Sequence, residues 1–341
     1  MKPALRRWRF ASRLLAVSCV FLCGIALGAA VSPAQREART ADGEEAIDLL
    51  VDGLTVRGTL RMPPTLHVPP VVLIVAGSGP TDRDGNSNQG LHTDDLKQIA
   101  AGLAAEGIAS VRYDKRGVAA SDKVAESALR FDTYVGDALA WVNKLRASGR
   151  FSGVSMVGHS EGGLIALVVA NTAKVDAVVV ASTPAVRASD LLRQQLASKL
   201  TPDLLRKNEQ ILTALEHGQS IGDVPAELAP LYRPSVQGYL TSWFRVDPIA
   251  QVRSLRVPLL VVQGTQDLQV PEGDAHRLAG TTPMAHLLEI QGMNHVLKQV
   301  GASDSLQRAS YTDPSVPLGS GLVDGIAKFL HDQCPRPTEG T

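Results

Sequence analysis

Cysteine is scarce in this chain, with three among 341 residues. Cys19 and Cys23 lie within the first thirty residues, so removal of that segment would leave Cys334 as the only thiol and exclude an internal disulfide. An excess of charge is also lacking, since 34 Lys and Arg residues balance 34 Asp and Glu residues. This balance argues against a polyanionic partner such as nucleic acid. The sequence shows no internal repeat or low-complexity tract.

In other respects the composition is that of a globular protein. Hydrophobic residues make up 44% of the chain and charged residues 20%. A chain of this length can bury one large core, or one core with a small appended subdomain. Such a chain suits an enzyme that acts on small molecules.

The N-terminal segment differs in kind from the rest. Basic residues, among them Arg6 and Arg7, precede an uncharged run from Leu14 to Val31 that ends in the small residues of 28–30. This layout predicts a secretory signal peptide over residues 1–32, and hence export to the periplasm or the medium. The run is also long enough to remain as an N-terminal membrane anchor, which would be the only contact with a membrane. Residues 33–45 are predicted to be flexible, and residues 334–341 to form a C-terminal tail.

Residues 46–333 carry the pattern of one folded domain. Ala46–Val51 and Leu54–Met62 read as a β-hairpin, because Asp52-Gly53 suits the positive φ angles of a tight turn. Continuous apolar runs then alternate with helical stretches, which predicts a mostly parallel sheet covered by helices on both faces. The predicted strands are Val71–Ala76, Ile108–Tyr113, Val154–Gly158, Val175–Ala181, Pro258–Gly264 and Ala285–Ile290.

The alternation stops between residues 185 and 252. Leucine-rich helical stretches without strands occupy this region, including Asp190–Leu200, Asp203–Glu216 and Ser235–Phe244. An all-helical insertion between two parallel strands is most simply a cap over the carboxyl ends of the strands, where such sheets bind ligands. The alternative is a peripheral group of helices with no role at the site.

The sharpest chemical signal is Gly158-His159-Ser160-Glu161-Gly162, between a predicted strand and a predicted helix. A turn this tight exposes the serine at a helix N-terminus, and the two glycines keep side chains away from it. The sequence therefore predicts Ser160 as a nucleophile. A glycine-rich turn without catalytic function would give the same five letters, so the prediction depends on finding a base and an acid.

Both partners follow later strands. Asp267 follows the strand Pro258–Gly264, and His295 follows the strand Ala285–Ile290. We predict that His295 is the base and that Asp267 orients it. Asp274 competes with Asp267 but falls within a predicted helix. His159 flanks the serine, and no catalytic part is predicted for it.

Two loops are candidates for supporting this chemistry. Backbone N–H groups of Glu161 and of Ser78, in the glycine-rich loop of residues 76–80, are expected to stabilise an oxyanion. Charged residues follow that loop and the next strand, and ion pairs between them would fix the oxyanion loop. Solvation at the surface is the alternative for this charged group, which comprises Asp82, Asp84, Asp114 and Arg116.

These motifs together resemble the α/β-hydrolase superfamily over residues 46–331. More narrowly the chain is similar to the EstD-like bacterial carboxylesterases, which combine Gly77-Ser78-Gly79-Pro80, Asp82-Arg83-Asp84, the sequence of residues 113–117 and that of 159–163. The resemblance implies hydrolysis of short or medium acyl esters through Ser160, Asp267 and His295, with no cofactor and no metal. Ala76 departs from the histidine that many relatives carry at this position.

Two other functions stay open. A thioesterase or a serine peptidase could use the same residues, because fold and triad do not define the leaving group. A non-catalytic envelope binding protein could also keep this scaffold. The presence of all three predicted catalytic residues in order favours an enzyme that acts on a small-molecule ester.

Overall fold

The computed structural model describes residues 43–64 and 68–333. The predicted signal peptide, the C-terminal tail with Cys334, and the predicted flexible segment as far as residue 42 lie outside the described residues. No helix in the described ranges is long and apolar enough to cross a membrane.

The centre of the fold is one eight-stranded sheet. Its strands are Glu44–Val51 (β1), Leu54–Arg61 (β2), Val71–Val75 (β3), Ala109–Tyr113 (β4), Val154–His159 (β5), Val178–Ala181 (β6), Leu259–Gly264 (β7) and Ala285–Ile290 (β8). The strand order is β1-β2-β4-β3-β5-β6-β7-β8. β1 and β2 form the antiparallel hairpin, β2 pairs antiparallel with β4, and the other neighbours pair parallel.

The hairpin and the parallel strands match the predicted pattern. Asp52 and Gly53 have φ angles of 51° and 75°, as a tight hairpin turn requires. Every residue of the five strands from β3 to β7 is buried, which explains their continuous apolar sequences. β1 begins at Glu44, so the predicted flexible segment extends two residues too far. The edge strand β8 is only partly buried.

Helices cover both faces of the sheet. Outside the inserted region they are Asp95–Ala105 (α1), Phe131–Ala147 (α2), Glu161–Ala170 (α3), Glu272–Ala279 (α9), Asp304–Ala309 (α10) and Leu322–Gln333 (α11). Alternate residues of the central strands enter two separate cores. Leu73 of β3 packs in the core beneath α2 and α3, whereas Ile74 packs in the core beneath α1 and α11.

The region between β6 and β7 contains helices joined by loops and no strand, in line with the predicted helical insertion. Its helices are Ala188–Leu196 (α4), Pro202–Glu216 (α5), Ala229–Tyr232 (α6), Pro234–Phe244 (α7) and Pro248–Ser254 (α8). α7 turns back over α2, and Phe131 N–H at the start of α2 donates to Ser242 Oγ. The segment thus stands on the sheet's helical layer next to the carboxyl end of β5.

Candidate active site

Ser160 occupies the strained turn between β5 and α3. Its φ and ψ angles are 53° and −117°, and its N–H donates to the Ala181 carbonyl at 2.8 Å. The flanking glycines are required by close backbone approach: a Cβ on Gly162 would lie 2.2 Å from the Val75 carbonyl oxygen, and a Cβ on Gly158 would lie 2.2 Å from that of Gly162. A half-buried serine hydroxyl is therefore presented at the first turn of a helix.

Asp267 and His295 form a pair on the loops after β7 and β8. His295 Nδ1 lies 2.9 Å and 3.1 Å from the two carboxylate oxygens of Asp267. The same carboxylate accepts the N–H groups of Gln269 and Val270 at 2.8 Å and 2.9 Å. Burial raises the pKa of Asp267, but the imidazole and these hydrogen bonds outweigh burial and lower the pKa below its usual value. The carboxylate is thus ionised and holds the imidazole by its Nδ1–H.

His159 contacts His295 from the nucleophile side. Its Nε2 lies 2.7 Å from the His295 carbonyl oxygen, and the two rings are 5.1 Å apart between centroids. Because a carbonyl oxygen only accepts, Nε2 of His159 carries the proton. Burial, and then the charge of His295, lower the pKa of His159 to about 4. No sequence signal indicates this contact, which joins the end of β5 to a loop 136 residues later.

The glycine-rich loop after β3 lies directly against Ser160. A Cβ on Gly77 would stand 3.4 Å from Ser160 Cβ and 3.2 Å from His159 Nδ1. Ser78 follows in this loop, and its carbonyl accepts from Thr81 Oγ1 at 3.0 Å. Glu161 is the first residue of α3, where backbone N–H groups have no partner within the helix. The two predicted oxyanion donors therefore stand in segments that meet at Ser160.

Three of the four predicted charged residues brace the loop that continues from Ser78. Asp114 accepts from the Arg83 backbone N–H at 2.8 Å and from its guanidinium at 2.7 Å. Asp84 accepts from the buried Arg112 of β4 at 2.9 Å. Asp82 accepts backbone N–H groups within its own loop, at 2.8 Å and 2.9 Å. Two ion pairs, each with one fully buried partner, therefore hold this segment to the end of β4.

Arg116 lies elsewhere, and its predicted pairing with the oxyanion loop is wrong. Its guanidinium pairs with Asp137 of α2, and also with Asp52 of the hairpin turn at 3.0 Å. The chain turns at residues 116 and 117, shortly after β4, so the alternation of the strand does not extend to Arg116. Arg116 thus ties the hairpin to α2.

Lys115, between these two residues, is a charged group that sequence reasoning missed. Its Nζ is buried and donates to the Gly77 carbonyl at 2.5 Å. It also lies 3.7 Å from Glu161 Oε2. Tyr239 of α7 donates to the other carboxylate oxygen of Glu161. Its position between two predicted site residues was a signal in the sequence. The direction of its side chain, however, could not be read from the sequence.

The aromatic residues of the inserted helices pack in the core. Tyr232 donates to Asn208, and Trp243 stacks on Phe131 with centroids 6.4 Å apart. Tyr239 lies against Tyr134 as well as against the Glu161 carboxylate. Within residues 43–64 and 68–333 no group of three or more His, Cys, Asp or Glu side chains is placed to hold a metal ion.

The sequence over residues 89–298 matches the model of the Hydrolase_4 family, described as serine aminopeptidase, S33. The chain belongs to this family of α/β-hydrolases. A curated relative, esterase EstD of Thermotoga maritima, is 30% identical over 255 residues, which are 73% of this chain and 59% of that relative. The match confirms the predicted resemblance to the EstD-like group.

Solved structures share the fold. The ferulic acid complex of Est1E from Butyrivibrio proteoclasticus is similar with a TM-score of 0.59 and 19% identity, over 84% of this chain and 99% of that one. The α/β hydrolase GrgF from a Penicillium species gives a TM-score of 0.58 and 18% identity, over 85% and 99%. The predicted α/β-hydrolase fold is confirmed by these similarities and by the sheet topology.

Proposed function

We propose that this protein is a serine hydrolase that cleaves carboxylic esters with short to medium acyl chains. The observation that carries the proposal is the Asp267–His295 pair, held by His159 beside the strained turn of Ser160. The similarity to an esterase over 73% of the chain supports the same reaction class.

The mechanism uses residues of this chain alone. His295 takes the proton of Ser160, and the alkoxide attacks the ester carbonyl carbon. The N–H groups of Ser78 and Glu161 donate hydrogen bonds that stabilise the oxyanion. Collapse of the tetrahedral intermediate then expels the alcohol, which receives the proton from His295. Water, deprotonated by His295, then cleaves the acyl-enzyme. Asp267 stabilises the imidazolium that forms in each half-reaction.

Hydrolysis of a p-nitrophenyl ester series of increasing acyl length tests this proposal. We expect turnover by the purified protein, no turnover by Ser160→Ala, and labelling of Ser160 by a fluorophosphonate. Ser182→Ala is the control, because Ser182 is also a serine at a positive φ directly after a parallel strand, although it is fully buried. Absence of both turnover and labelling would contradict the proposal and favour a binding protein.

A peptidase is the second candidate, because the description of the matching family names a serine aminopeptidase. Amino-acid p-nitroanilides offer an amide with a closely related chromophore. Faster cleavage of these amides than of the esters, dependent on Ser160, would assign the peptidase activity.

We also propose export through the N-terminal segment of residues 1–32. The basic start and the apolar run with a small-residue end support this proposal. Mass spectrometry of the protein recovered from its native host distinguishes a chain that lacks about the first 30 residues from one that keeps them as an anchor.

A further inference from the structure

Behind the candidate oxyanion hole lies a buried ion pair. The side chains of Lys115 and Glu161 are each 1% exposed, and Lys115 Nζ stands 3.7 Å from Glu161 Oε2. Among the described residues Oε2 has no hydrogen-bond partner, whereas Oε1 accepts from Tyr239. Nζ also lies over the Tyr134 ring, 5.2 Å from its centroid. Both charges are thus removed from water.

Stability alone does not account for such a pair. Desolvation of two charges offsets much of their attraction, and apolar residues of similar volume often serve stability as well. Burial raises the pKa of Glu161 despite the nearby ammonium group, which shows how unfavourable the site is for charge. A role in arranging the neighbouring backbone gives a reason for placing these charges here.

The contact of Lys115 with the backbone identifies that role. Its Nζ donates to the Gly77 carbonyl at 2.5 Å. This carbonyl and the Ser78 N–H belong to one planar peptide unit, which is trans because the described residues contain no cis peptide bond. A donor bound to the carbonyl therefore fixes the direction of the N–H on the opposite side. A cation at the carbonyl also polarises the unit and strengthens that N–H as a donor.

The second donor belongs to Glu161 itself. Its backbone N–H begins α3, and its side chain is held between Lys115 and Tyr239. One ammonium group thus contacts the peptide that carries the first donor and the residue that carries the second. Tyr239 adds a link from α7 of the inserted helical region to the same carboxylate.

We propose that Lys115 is a positioning residue that aligns the Ser78 and Glu161 N–H groups for the oxyanion. It does not touch the reacting atoms, and its effect passes through the Gly77–Ser78 peptide and the Glu161 side chain. This inference rests on the proposed serine esterase function. It predicts that loss of Lys115 weakens binding of the tetrahedral state more than binding of the ester.

Lys115→Met tests this, because methionine matches the apolar part of the lysine side chain and removes both the charge and the donor. We expect kcat on a p-nitrophenyl ester to fall about ten- to a hundredfold with KM nearly unchanged, since loss of a whole oxyanion donor costs about 10²–10³. Inhibition by a phenylboronic acid, which forms a tetrahedral adduct with serine, should weaken by a similar factor. Lys123→Met is the matched control, because Lys123 is exposed in the same β4–α2 connection.

A double variant separates positioning from folding. Lys115→Met leaves the Glu161 charge buried and lowers stability, whereas Lys115→Met with Glu161→Gln removes both charges. The inference expects the double variant to regain thermal stability while kcat and boronate affinity stay low. The inference would be overturned if the double variant recovered kcat along with stability, or if Lys115→Met kept the wild-type kcat. Neither outcome would affect the proposed function. A wild-type protein that neither cleaves esters nor is labelled at Ser160 would overturn the proposed function, and the inference with it.

Discussion

At the scale of single residues, the carboxylate of Asp267 has two tasks. It accepts two backbone N–H groups of its own loop, and it faces His295 Nδ1. The Asp267→Asn substitution keeps one acceptor for the loop but places an amide N–H toward Nδ1. The imidazole then adopts the tautomer with its proton on Nε2, which cannot accept from a serine. We expect kcat for ester hydrolysis to fall about 10⁴-fold with little change in melting temperature.

Asp274→Asn is the control for that variant. Asp274 is also a buried aspartate, and it accepts from the Ala185 N–H at 3.0 Å, a bond that asparagine can keep. Its kcat should stay near that of the wild type. If Asp274→Asn instead caused the large loss and Asp267→Asn did not, the acid would have to be reassigned.

The site residues form two groups, those that a local motif locates and those whose contact partners lie far away in sequence. Ser160, Asp267 and His295, the proposed nucleophile, acid and base, each follow a strand of the sheet, and that placement could be read without a structure. His159 and Lys115 could not be assigned in this way, because each contacts a segment brought near by folding: the carbonyl of His295 and the carbonyl of Gly77. Local motifs locate reactive groups, but they do not give the direction of a neighbouring side chain.

At the scale of secondary structure, two glycines in helix interiors differ only in what surrounds them. For Gly136 in α2, a Cβ would meet no atom of the described residues within 4 Å. Gly136→Ala should raise the free energy of unfolding by about 0.5–1 kcal/mol, because alanine restricts the unfolded chain. Urea unfolding followed by circular dichroism measures this change. A lower midpoint would show that α2 needs the glycine for a reason other than helix propensity.

Gly102 of α1 gives the opposite case. A Cβ there would lie 2.7 Å from Val323 Cγ1 of α11, so α1 and α11 must separate or Val323 must move. We expect Gly102→Ala to lower the free energy of unfolding by about 1–3 kcal/mol. The same urea experiment, with Gly102→Ala and Val323→Ala combined, should recover part of the loss if this contact causes it.

The strands could be predicted from the sequence where helices cover both faces of the sheet. Mostly apolar runs identify the strands from β3 to β7, since every residue there is buried. The short polar helix Asp304–Ala309 has no such pattern and was not predicted. Glu44 falls within the segment predicted to be flexible, but the structure pairs it with Arg61 of β2 and with Arg112, which comes from a strand 68 residues later.

At the scale of the whole molecule, the formal charge of zero means that no large net repulsion sets the pH dependence of stability near neutrality. Individual buried groups set it instead. Two of these groups titrate in overlapping pH ranges and change the free energy of unfolding in opposite directions. Burial, with the charge of His295, lowers the pKa of His159 to about 4, and burial raises the pKa of Asp95 to about 7.

The signs follow from proton uptake. Between about pH 4 and 6.5 the unfolded chain protonates His159 more than the folded protein does, so this group makes the free energy of unfolding rise with pH. Between about pH 4 and 7 the folded protein keeps Asp95 protonated while the unfolded chain does not, so Asp95 makes that free energy fall with pH. We expect His159→Gln to gain stability relative to wild type as pH falls to about 4, and Asp95→Asn to gain as pH rises to about 7.

Each relative change should be on the order of 3 kcal/mol across its window, since one pKa unit corresponds to about 1.4 kcal/mol. Guanidinium unfolding of the wild type and the two variants at half-unit pH steps from about 4 to 8 measures both differences. The diagnostic result is that the two differences from wild type change with pH in opposite directions. A packing defect would instead lower the free energy of unfolding equally at every pH. A difference from wild type that does not vary with pH would show that the group has the same pKa in the folded and unfolded chain, and that its burial does not govern the acid response of the molecule.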